Sequence, residues 1–72
     1  MSGRPQKHSL SLKGHRTSVS LEPEFWDALR RIATEDGKPI NVLAAEIDVA
    51  RHADVGLASA IRVYVLRRLT DD

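Results

Sequence analysis

Arg16, Ser18 and Ser20 occupy every second position of RTSVSL, so an extended backbone holds a guanidinium and two hydroxyls on one face. Such groups recognise by hydrogen bonding, because the guanidinium is a rigid fork of donors and each hydroxyl both donates and accepts. Material for covalent chemistry is scarce. Ser59 has no neighbouring base in GLASAIR, and no Gly-rich phosphate loop, catalytic carboxylate pair or nucleophile constellation appears, so no enzymatic activity is expected. The chain has no cysteine, which closes off disulfides and thiolate zinc sites. His8, His15 and His52 are scattered. Asp48 and His52 stand at i, i+4, a spacing that reads more simply as an exposed helix pair than as a metal site. No metal and no cofactor is expected.

Charge is uneven. The formal net charge is +1, but Arg4, Lys7, Lys13 and Arg16 all precede the first acid, Glu22, and the remainder of the chain is net acidic. A basic N-terminal part ahead of an acidic body is a footprint of nucleic-acid contact, although basic arms also occur as solvated tails. The start MSGRPQKHSLSLKGHR lacks the apolar core of a signal peptide, and no run of 18 apolar residues exists, so a cytoplasmic protein with no membrane partner is expected.

These residues need elements to position them. Residues 1–8 show no periodicity and read as a flexible basic arm, followed by a single domain over 9–70. In the strand expected at 16–21, Thr17, Val19 and Leu21 share the face opposite Arg16, Ser18 and Ser20. Gly14 could turn the chain so that the SLSL stretch at 9–12 forms a flanking strand, or it could merely kink one longer strand; both remain open. Pro23, with Glu22, Glu24 and Asp27 around it, marks a helix start. The apolar stripe of Phe25, Leu29, Ile32 and Ala33 carries that helix over about 23–36, and Gly37 stops it. A second helix over about 40–51 turns Leu43, Ala44, Ile47 and Ala50 inward, HADVG breaks it, and a third over about 57–69 carries Leu57, Ile61, Val65 and Leu69. The fold class is mainly α with one short β-strand.

A chain of 72 residues buries only roughly 60% of its unfolded surface and is marginal alone. A single short strand also leaves its backbone edge unpaired. Both shortages are met if two copies pair their strands into an intermolecular antiparallel ribbon about a two-fold axis. Trp26 beside Phe25 reads as packing rather than a base-stacking platform, and Tyr64 likewise as interface.

RTSVSLEPEFWDALRRIATEDGKPINVLAAEI resembles the ribbon-helix-helix (MetJ/Arc/CopG) superfamily. GHRTSVSLEPEFWDAL and the trailing SAIRVYVL are similar to a bacterial branch of predicted DNA-binding ribbon-helix-helix domain proteins. The resemblance implies an intertwined homodimer with an extra C-terminal helix, its core built from Val19, Leu21, Phe25, Leu29, Leu43, Ile47, Ile61 and Val65. It implies double-stranded DNA as partner, base contacts from Arg16, Ser18 and Ser20, and a phosphate held at the start of the second helix by Lys38, Ile40 and Asn41. There the sequence departs from the pattern, since Pro39 stands where a serine is often seen. Lys13, Lys7 and Arg4 would add phosphate contacts. The function implied is a transcriptional repressor, with higher assembly on DNA open. The alternative is an antitoxin with a toxin protein as partner, against which the residues after Leu69 are too few to wrap one.

Overall fold

A computed structural model of the chain describes residues 3–71. Its elements in order are β1 (Gln6–Leu12), β2 (His15–Leu21), α1 (Pro23–Glu35), α2 (Ile40–Ala50) and α3 (Leu57–Thr70). One strand was expected, with a flanking strand at 9–12 left open, and two are present: β1 pairs antiparallel with β2 over its whole length, from Gln6 opposite Leu21 to Leu12 opposite His15. The partner of β2 in this structure is therefore the chain itself. Lys13 (φ 52°) and Gly14 (φ 84°) form the turn, both in the left-handed region that a two-residue hairpin of the right twist requires. A Cβ at position 14 would meet nothing within 4 Å, so glycine serves the backbone angle and not a close contact. Gln6, Lys7 and His8, expected within a flexible arm, belong to β1. Met1 and Ser2 of that expected arm lie outside the described residues, as does the terminal Asp72.

α1 opens on Pro23 and closes on a Schellman turn. The N–H of Lys38 donates to the carbonyl of Ala33 (2.9 Å) and that of Gly37 to Thr34 (3.1 Å), with Gly37 at φ 67°. Pro39 caps α2 with extended angles, and Val42 and Leu43 donate the first intrahelical bonds back to its carbonyl. α2 ends at Ala50, so the expected pair of Asp48 with His52 does not form. Asp48 accepts from Arg51 Nε instead (2.8 Å), Arg51 Nη1 donates to the Val55 carbonyl (2.7 Å), and His52 lies exposed beyond the helix.

The helices cover one face of the hairpin. Leu10 and Leu12 of β1 and Val19 and Leu21 of β2 join Leu29, Ile32, Ala33, Leu43, Ala44, Ile47, Ile61 and Val65 in one buried core. Burying each of the leucines stabilises the fold by about 1.5–3 kcal/mol. Of the residues expected to form a core between two copies, Val19, Leu21, Leu29, Leu43, Ile47, Ile61 and Val65 are buried within one chain, and Phe25 packs partly buried against them. Leu10 and Leu12 of β1 share that core, closing it against β2 from within the chain. Thr17, on the inner face of β2, is exposed, and Leu69, expected on the inner stripe of α3, is 65% exposed.

Candidate nucleic-acid interface

The alternation that buries Leu10, Leu12, Val19 and Leu21 sends their neighbours to the opposite face of the hairpin. That face carries Lys7, Ser9 and Ser11 from β1 and Arg16, Ser18 and Ser20 from β2, all exposed. The register sets Lys7 opposite Ser20, Ser9 opposite Ser18 and Ser11 opposite Arg16. Lys13 stands exposed at the hairpin tip and Arg4 just before β1. No acidic residue occurs before Glu22, so the face is a hydroxyl-rich surface with only positive charges. Sequence reasoning placed Lys7 in an arm and missed Ser9 and Ser11. The alternation of SLSL was the available signal, because pairing with RTSVSL brings the two serine rows onto one face.

Backbone geometry distinguishes the two edges of the hairpin. Leu12 and His15 close a two-residue turn and form a hydrogen-bonded pair, and bonded and non-bonded pairs then alternate. The N–H and C=O groups of Arg16, Ser18 and Ser20 therefore point away from β1, toward the open edge of β2. Those of Lys7, Ser9 and Ser11 point the other way, where the N–H of Ser11 donates to Oδ1 of Asn41 (3.1 Å). Across the molecule the order is β2, then β1, then the first turn of α2.

At that first turn the charged member of the expected anion-holding set, Lys38, has another engagement. The Lys38 ammonium donates to Glu46 Oε1 (2.7 Å), and this contact raises its pKa above the usual lysine value. The side-chain oxygen of Asn41 is held by β1. Ile40 is half-buried and packs against the core. The structure thus brings Lys7 together with Arg16, Ser18 and Ser20, and leaves Lys38, Ile40 and Asn41 on the far side of β1. Between the hairpin tip and α2 runs an open groove lined by Ser11, Lys13, Val42, Ala45 and Val49, whose acid, Glu46, is the partner of Lys38. Among the described residues no three His, Asp or Glu side chains gather as metal ligands would.

Under the sheet, the His8 ring stacks on Trp26 with centroids 3.8 Å apart and planes within 5°. Trp26 is therefore partly covered by β1 and is not a free platform for bases. The guanidinium of Arg62 lies 5.9 Å from the centre of the Phe25 ring, within cation–π range.

The family model described as the ribbon-helix-helix domain matches residues 5–69 of this chain, which carry the hairpin and the helices set against it. The chain belongs to the ribbon-helix-helix family. Ribbon-helix-helix domains are typically DNA-binding regulators and generally dimerise. The match starts at Pro5 and ends at Leu69, so in this ribbon-helix-helix chain β1 and all of α3 except Thr70 fall inside the domain. No curated protein and no solved structure matches the chain significantly. Among the described residues, no helix of this ribbon-helix-helix protein is long and apolar enough to cross a membrane.

Proposed function

We propose that the protein is a sequence-specific DNA-binding regulator, a transcriptional repressor that works in the bacterial cytoplasm as a homodimer. The observation that carries this reading is the outer face of the hairpin, where Arg16, Ser18 and Ser20 stand exposed in a segment without acids. In the dimer the open edges of two β2 strands pair antiparallel across a two-fold axis at Ser18, which gives a sheet of order β1-β2-β2′-β1′. The central pair of strands then enters the major groove, which admits a two-stranded ribbon.

Arg16 carries most of the specificity, because its fork can bind guanine O6 and N7 together whereas a serine hydroxyl discriminates weakly. Selection of bound sequences from a random duplex pool is expected to return a palindrome. Arg16→Ala then costs about 1–3 kcal/mol per base contact and relaxes the preference at one position in each half-site. If Arg16→Ala stays folded and selects the same palindrome with the same affinity, the hairpin does not read DNA.

A further inference from the structure

The insertion of β1 between the reading strand and α2 bears on how the DNA backbone is held, an inference that rests on the DNA-binding reading above. Neighbouring strands lie about 4.8 Å apart, so the two β2 strands of the proposed sheet lie about 2.4 Å from the two-fold and the two β1 strands about 7 Å from it. The major groove is about 12 Å wide, which sets its walls about 6 Å from the same axis. The outer face of β1 therefore meets the phosphates at the groove wall, and the first turn of α2 lies beyond it, next to the edge of β1 at Ser11.

The side chains agree with that placement. Lys7, Ser9 and Ser11 form a row of one ammonium and two hydroxyls, all exposed on the face that carries Arg16. At the start of α2, Pro39 has no N–H to donate and the Lys38 ammonium is paired with Glu46. We propose that β1 replaces the start of α2 as the phosphate-binding element, with Lys7, Ser9 and Ser11 gripping the backbone on either side of the strands that read the bases.

Phosphate and base contacts leave different marks on a titration. A cation that neutralises a phosphate releases counterions and makes binding salt-dependent by about 0.9 in the log–log slope per contact, whereas a neutral hydroxyl does not. The test measures anisotropy of two labelled duplexes of equal length, the selected palindrome and an unrelated sequence, over a series of salt concentrations. Lys7→Gln is expected to make the slope shallower by about 1.8 per dimer and to weaken both duplexes by the same factor, leaving the base preference intact. Ser9→Ala with Ser11→Ala weakens both duplexes equally and leaves the slope unchanged. Lys38→Gln changes neither affinity nor slope. Circular dichroism confirms that each variant is folded.

A shallower slope in Lys38→Gln but not in Lys7→Gln places the anchor at α2 and overturns the proposal while the DNA reading stands. The proposal also fails if Lys7→Gln weakens only the palindrome, since Lys7 would then read bases. A wild-type protein that binds neither duplex overturns the DNA reading, and this inference with it.

Discussion

Glu22 stands at the residue where a side chain would ordinarily cap α1, yet it makes no cap bond. Its two oxygens instead accept from Nε (2.9 Å) and Nη2 (3.1 Å) of Arg62 on α3. Asp36, at the other end of α1, is held in the same forked way by Arg68, whose Nη1 donates to Oδ2 at 2.9 Å. The hydrogen bonds from these guanidinium groups lower the pKa of both carboxyls below their ordinary values of 4.5 and 3.8. A carboxyl whose pKa is lower in the folded state binds its proton more readily when unfolded. Its contribution to stability is thus fully present above the ordinary carboxylate range and is lost as pH falls through the lowered value. Melting temperature is expected to fall as pH drops below about 4.5, and the double variant Glu22→Gln, Asp36→Asn should melt lower at pH 7 and lose less on acidification. Both pairs are at the surface, so the difference should shrink at high salt. Thermal melts by circular dichroism from pH 7 to pH 2 would refute this if the two proteins show parallel profiles.

At the scale of elements, β1 is the finding that most changes the reading of the chain. Leu10 is 2% exposed, so β1 is part of the core and not a tail. Leu10→Ala is expected to cost about 2–5 kcal/mol in a urea titration, the range for a buried leucine, whereas the same truncation at an exposed position would cost almost nothing. The helices were legible because their punctuation is local: Pro23 starts α1, Gly37 stops it, and the apolar spacings of α2 and α3 are regular. β1 was legible only as one of two open readings, a flanking strand at 9–12, for two local reasons. Its first half, Gln6 to His8, carries no aliphatic side chain, and the stacking of the His8 ring on Trp26 is a contact no window of sequence contains. Its turn is Lys13-Gly14, with a lysine at φ 52° where Asn or Asp is the common signal. The outer face was half legible for the same reason. Arg16, Ser18 and Ser20 could be placed by alternation within β2, but Lys7, Ser9 and Ser11 needed the register between two strands. The clamps of α3 onto α1, Glu22 with Arg62 and Asp36 with Arg68, join residues 40 and 32 positions apart and carry no sequence signal of their own.

For the whole molecule, the self-contained core alters what dimerisation has to explain. A lone strand would make a second copy obligatory for folding, but β2 already has β1 beside it and Val19 is buried within one chain. Val19→Asp would therefore unfold the chain whether or not it dimerises, since an unpaired buried charge costs several kcal/mol in either case. The informative position is Ser18. Its N–H points to the open edge of β2, so a proline there removes no hydrogen bond within the hairpin, and proline is tolerated on an edge strand in that orientation. It does remove the donor that pairing with a second β2 requires. Ser18→Pro is expected to keep the circular dichroism spectrum of the wild type and to sediment as a monomer, while the wild type sediments as a dimer at micromolar concentration. Its affinity for the palindromic duplex should drop to that of an unrelated one, because a single β2 strand lacks the partner that completes the ribbon. A folded Ser18→Pro protein that still sediments as a dimer would show that the copies associate through another surface. The groove would then receive a hairpin from each copy and not a ribbon shared between them.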